Sequence, residues 1–100
     1  MITEIVRITI DPARAPDFIA AVQKSAETVQ SRADGCRSMR LERILENPAQ
    51  YLLMVGWDSV EHHTVTFRHS GLYNEWRTLA GPFFEDLPKV DHVETVATFF

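Results

Sequence analysis

The sequence holds one cysteine, Cys36, among its 100 residues. That excludes an internal disulfide and a cysteine-rich zinc site. Glycine and proline number only four and five, and they fall at turns. No apolar run approaches the ~18 residues of a membrane helix, and the N-terminus lacks a signal-peptide layout. A cytoplasmic, membrane-free domain is therefore expected. Basic side chains are few and scattered: 10 against 14 acidic ones, for a net charge of −4. No Lys/Arg cluster tracks a phosphate backbone, so no nucleic-acid partner is expected. GxGxxG, P-loop, GxSxG and HExxH patterns are all missing. What is present is a chain with 45% hydrophobic residues, enough for one core and one domain spanning residues 1–100.

The pattern along the chain is legible. Ile2 to Ile10 reads as a strand, with Val6, Ile8 and Ile10 alternating against Ile5, Arg7 and Thr9. Asp11-Pro12 stops it. Pro16 suits the first turn of a helix and Asp17 its positive end. Phe18, Ile19, Val22, Ala26 and Val29 form its apolar stripe, and Asp34-Gly35 ends it with a left-handed glycine cap. Cys36 to Glu46 is a second strand, and Asn47 to Gln50 a hairpin turn. Tyr51 to Trp57 is a third strand, apolar on both faces. Asp58 with Glu61 gives a capping-box pattern for the next helix, which Ser70-Gly71 interrupts. A further helical segment runs from Leu72 to Leu79. Phe83 to Pro88 is a loop and Val90 to Ala97 a last strand.

The order β-α-β-β-α-β predicts an α+β, ferredoxin-like fold with a four-stranded antiparallel sheet. Two helices cover one face of such a sheet. An apolar strand with both faces filled leaves a patch that a second copy would cover, so a homodimer is expected.

The stretch from Tyr51 to His63 resembles the antibiotic biosynthesis monooxygenase (ABM) family. So do Phe67-Arg68-His69-Ser70, Tyr73-Asn74-Glu75-Trp76-Arg77, Gly81-Pro82-Phe83-Phe84 and Val90-Asp91-His92. The resemblance implies a dimeric α+β barrel with a small-molecule pocket between helices and sheet. It also implies a cofactor-independent monooxygenase that uses O₂ on a small electron-rich aromatic, quinol- or anthrone-like. Such chemistry removes a proton from the substrate and lets the resulting anion reduce O₂.

By that resemblance Trp57, His63 and Arg77 are the candidate catalytic residues. Trp57 matches a substrate-contacting Trp of anthrone-oxidising relatives; a core anchor at a strand end is the other reading. His63 stands where those relatives carry Tyr, and an imidazole near pKa ~6.5 is a candidate proton acceptor. Arg77 matches an Arg able to hold a developing oxyanion, against an ordinary salt bridge as the alternative. Phe67, Tyr73, Trp76, Phe83 and His92 are candidate pocket residues, with Phe84 beside them. His62 is expected in solvent, and Cys36 as a small buried apolar group. No metal and no cofactor are expected.

Two departures stand out. An Asn of the anthrone-oxidising relatives falls at Leu53. The Asn, Trp and His of the haem-degrading branch fall near Val6, Thr66–Phe67 and Trp76–Arg77, and none is retained. The alternatives are a non-catalytic binding or scaffold dimer, or an O₂-independent isomerase or lyase on the same fold.

Overall fold

The computed structural model describes residues Met1–Phe100. Strands β1 (Ile2–Thr9), β2 (Cys36–Arg43), β3 (Gln50–Trp57) and β4 (Lys89–Val93) form one antiparallel sheet in the order β2-β3-β1-β4. Helices α1 (Ala15–Thr28) and α2 (Gly71–Ala80) complete the α+β ferredoxin-like fold.

Alternation decides the sheet's two faces. Glu4, Val6 and Ile8 of β1 and Ile10 just beyond it are buried, as are Tyr51, Leu53, Val55 and Trp57 from β3. Register places Val6 beside Leu53 and Ile8 beside Tyr51, so the two rows make one apolar surface. Phe18, Val22 and Val29, with Phe67, Trp76 and Ala80 from the other helical segment, close the core over it. Full burial of each such side chain stabilises the fold by roughly 1.5–3 kcal/mol. On the opposite face Ile5, Leu52 and Met54 are only half-buried, flanked by exposed Arg7, Arg40 and Glu42.

Several boundaries differ from the sequence pattern. Asp11 caps a short 3₁₀ turn, Pro12–Arg14, its Oδ1 accepting from the Ala13 amide at 3.0 Å. Helix α1 ends at Thr28, and a second 3₁₀ turn, Gln30–Arg32, fills the way to Gly35. Ile19, expected in the apolar stripe, is exposed; the inward face is Phe18, Val22 and Ser25. Gly35 does adopt φ 80°, and a β-carbon there would collide with the His62 ring. β2 stops at Arg43, where the hairpin closes through Ile44 N–H to the Gln50 carbonyl at 3.1 Å. β4 stops at Val93 rather than Ala97. Its last partner is Thr3, next to the start of β1 at Ile2, so the ladder runs out. Residues 94–100 form no strand, and Val96, Phe99 and Phe100 are exposed. No helix is long and apolar enough to cross a membrane.

The largest revision lies after β3. Asp58 does not cap a helix; its carboxylate takes both arms of the Arg37 guanidinium. Ser59 caps instead, its Oγ accepting from the His62 amide. The following turns, His62–Phe67, are π-helical and not α-helical. The chain then breaks at Ser70 before α2 begins.

Candidate active site

A cavity of about 1040 Å³ lies between the sheet and the second helical segment. Val6, Leu53, Val55 and Trp57 form its sheet wall, with Phe67, Tyr73, Trp76 and Phe84 opposite. That volume and lining suit a small molecule with flat rings.

The π-helical turn explains how the inner end is built. The wider turn places His63 and Phe67, four apart, side by side and buried against Trp57. The Trp57 and His63 rings stack at 5.4 Å, and Trp57 meets Phe67 at 5.3 Å. Such π-helical turns are frequent where a side chain must be aimed into a site.

One residue there has no counterpart among the sequence candidates. Glu4 is buried at the start of β1 and lines the cavity. Its Oε1 accepts from the Trp57 indole N–H at 2.9 Å, and its Oε2 lies 3.3 Å from His63 Nε2. On the far side of the imidazole, His63 Nδ1 is 2.8 Å from His92 Nε2. The register of β1 and β4 sets Glu4 directly opposite His92. The signal for Glu4 was in the alternation: it shares the parity of Val6, Ile8 and Ile10, which puts a carboxylate on the core face.

Burial governs the charges. It pushes Glu4 up to about 7, against the opposing pull of the Trp57 N–H and the Arg68 cation. It pushes His63 down to about 4, helped by His92 and Arg68. At neutral pH His63 is therefore uncharged while Glu4 is near its midpoint. The Cys36 thiol is pushed up to about 11, chiefly by burial and then by the Glu4 charge, so it stays protonated.

Glu4 and His92 engage opposite ring nitrogens of His63. The three groups are strung in a line and do not converge on a point, as metal ligands must. No set of three His, Cys, Asp or Glu side chains converges elsewhere in the chain.

Tyr73 organises the opposite wall. The guanidinium groups of Arg68 and Arg77 lie 5.1 and 5.8 Å from its ring centroid, and Arg77 donates to the Tyr73 hydroxyl at 3.2 Å. Neither arginine has a carboxylate partner among the chain's ion pairs, and both line the cavity.

The structure thus brings Trp57, His63, Arg77, Phe67, Tyr73 and Trp76 to one cavity. Phe83 is not in its wall: it packs on Phe18 at 5.9 Å and under Arg14, while Phe84 takes the wall position. His92 is also outside the lining, one residue behind His63. His62 is not in solvent; it sits half-buried over Gly35, with Ser59 Oγ 2.8 Å from its Nδ1. Leu53 occupies the sheet wall as an apolar group. Glu4 and Arg68 were absent from the sequence candidates.

The family model described as antibiotic biosynthesis monooxygenase matches residues 1–79, and the chain belongs to this family. It is 31% identical over 96 residues to the uncharacterised Bacillus subtilis protein YczJ, spanning 96% of this chain and 100% of that one. A Bordetella bronchiseptica crystal structure that bears the family's name superposes with a TM-score of 0.91 at 40% identity, covering 96% of this chain and 97% of the other. A variant of SnoaB, a cofactor-independent oxygenase from Streptomyces nogalater, superposes at 0.74 with 16% identity over 97% and 94% of the two chains. That last likeness is one of fold alone.

Proposed function

We propose that this protein is a cofactor-independent monooxygenase that oxidises a small electron-rich aromatic, quinol- or anthrone-like, with O₂. One observation carries the reading: an aromatic-lined cavity whose buried end presents a carboxyl group near neutrality, backed by an uncharged imidazole. The ionised Glu4 carboxylate takes a proton from the substrate's C–H or O–H, leaving the electron pair on carbon or oxygen. This anion passes one electron to O₂. Recombination forms the C–O bond of a peroxide, which takes up a proton, and loss of water leaves the carbonyl. For a methylene substrate the sum is CH₂ + O₂ → C=O + H₂O. The proton-accepting role thereby moves from His63 to Glu4, because an imidazole near 4 is a weak base at pH 7. Trp57 steers Glu4 through its N–H and offers a ring face. Arg77, with Tyr73, supplies donors to the developing oxyanion.

We also propose that two copies pair through the sheet face bearing Ile5, Leu52 and Met54. Helices leave that face bare, and the exposed apolar tail residues Val96, Phe99 and Phe100 add surface that pairing would cover. A solution mass near twice 11.4 kDa is expected, and a monomer in dilute solution would refute the pairing.

The test is oxygen uptake by metal-free protein against a panel of hydroquinones and anthrones, each corrected for autoxidation without protein. Saturable, protein-dependent uptake is expected, lost in Glu4→Gln and reduced in His63→Ala. No uptake across the panel would count against the oxygenase reading. Turnover that persists unchanged without O₂ would reassign the same carboxylate–imidazole pair to an isomerase or lyase.

A further inference from the structure

We propose that Glu4, His63 and His92 form a proton relay linking the inner end of the cavity to the molecular surface at the sheet-edge strand β4. The proposal rests on the reading of the cavity as a place where a ligand loses a proton.

The geometry is a line of close polar contacts. Glu4 Oε2 lies 3.3 Å from His63 Nε2, and His63 Nδ1 is hydrogen-bonded to His92 Nε2 at 2.8 Å. Each end has a distinct outlet. Glu4 faces the cavity. His92 is half-buried on an edge strand, and its remaining nitrogen, Nδ1, has no protein partner and is not sealed from solvent. The middle member is deeply buried, with only 5% of its side chain exposed. A proton on Glu4 therefore has a route outward that does not cross the ligand's own space.

Two arrangements of hydrogens satisfy both contacts. In one, Glu4 is a carboxylic acid donating to His63 Nε2, and His63 Nδ1–H donates to His92 Nε2. In the other, Glu4 is a carboxylate accepting from His63 Nε2–H, and His63 Nδ1 accepts from His92 Nε2–H. Passing from the first to the second breaks the Glu4 O–H as His63 Nε2–H forms. It breaks His63 Nδ1–H as His92 Nε2–H forms, and it hands the His92 Nδ1 proton to water. No electrons change hands, and His63 is never cationic. Burial disfavours a cationic His63, which suits this mode of transfer. The relay lets the carboxyl group exchange its proton with solvent while a ligand fills the cavity. The charged or titratable groups around Glu4 are Cys36 from β2, His63 and Arg68 from the segment after β3, and His92 from β4.

Two measurements test this. The first needs no ligand: ¹⁵N NMR of the imidazole rings in the wild-type protein across the titration of Glu4. The expected result is that His63 stays neutral but exchanges its Nε2–H tautomer for Nδ1–H as Glu4 gains its proton. A single fixed tautomer throughout, or a cationic His63, overturns the relay. The second is anaerobic exchange of solvent deuterium into the methylene of 1,8-dihydroxyanthrone. His92→Gln retains hydrogen-bonding groups but cannot pass a proton through its ring. We expect exchange to fall about tenfold or more in His92→Gln, at an unchanged melting temperature, and to be restored in His92→Ala by added imidazole. Exchange at the wild-type rate in His92→Gln overturns the relay and reduces His92 to a structural prop. If the wild-type protein exchanges nothing, the oxygenase reading loses its first step, while the tautomer experiment still decides the relay.

Discussion

The inner face of the sheet has a filled end and a hollow end, and the same strand serves both. β1 runs from Glu4, beside the cavity, to Ile8 near the filled end. At the filled end Phe18 of α1 packs on Tyr51 at 5.3 Å and on Phe83 at 5.9 Å, with Ile8 and Ile10 fully buried nearby. At the hollow end large side chains ring a space instead of filling it, and the buried groups include a carboxylate and an imidazole. The filled end maximises apolar contact and holds the fold. The hollow end gives up that contact and keeps polar groups dry, which perturbs their proton affinities and makes chemistry available.

The sharpest way to break this contrast is to empty the filled end. Phe18→Ala should lower unfolding free energy by about 3–5 kcal/mol, read from urea denaturation. Phe84→Ala, on the cavity wall, should cost less than half as much, because its side chain already borders empty space. Equal costs would mean that the cavity wall is as tightly packed as the core.

The next test separates the two titrating groups. Glu4 sits above its ordinary value, so the unfolded chain releases that proton first, and stability falls as pH rises from about 4.5 to 7. His63 sits below its ordinary value, so the unfolded chain binds that proton first, and stability rises with pH from about 4 to 6.5. In the wild type these slopes oppose each other over most of the range. Glu4→Gln should leave a stability that climbs with pH, and His63→Gln one that declines. Each slope amounts to at most about 3 kcal/mol across its window. Urea midpoints at several pH values would show it; parallel profiles for the two variants would refute the assignment.

A smaller effect is expected at the turn beneath the hollow end. Gly35→Ala forces a side chain into positive φ and against the His62 ring, at a cost of about 1–3 kcal/mol. Because His62 begins the π-helical turn, the same change should disturb the His63 ring signals in NMR more than those of Tyr51. The smallest effect is electrostatic. Arg68→Gln removes a cation that favours the ionised carboxylate, so the Glu4 midpoint should move upward in a ¹³C carboxyl titration. A downward movement would place Arg68 elsewhere in the site's electrostatics.

Much of the fold was legible because it rests on repeating patterns. Alternation in β1 and β3, the Gly35 turn and the β-α-β-β-α-β order all follow from local sequence. The misread ends of β2 and β4 share a cause: each strand stops where its partner strand stops supplying ladder contacts, and no local residue announces that. The site was legible where aromatic and basic residues fall on the segment after β3. Phe83 and Phe84 could not be told apart by sequence, because a 3₁₀ turn at Gly81–Phe83 decides which one faces the cavity.

The sequence by itself determined the class of fold and, through resemblance, the family and the candidacy of His63, Trp57 and Arg77. Periodicity and spacing are local properties, and they survive in one dimension. Only the tertiary structure decided what those residues do to each other. Glu4 and Trp57 are 53 positions apart, and His63 and His92 are 29 apart. Their proton affinities come from burial that no single segment contains. The line from carboxylate to imidazole to imidazole exists because β1 lies between β3 and β4, and because a π-helical turn folds His63 down beside it.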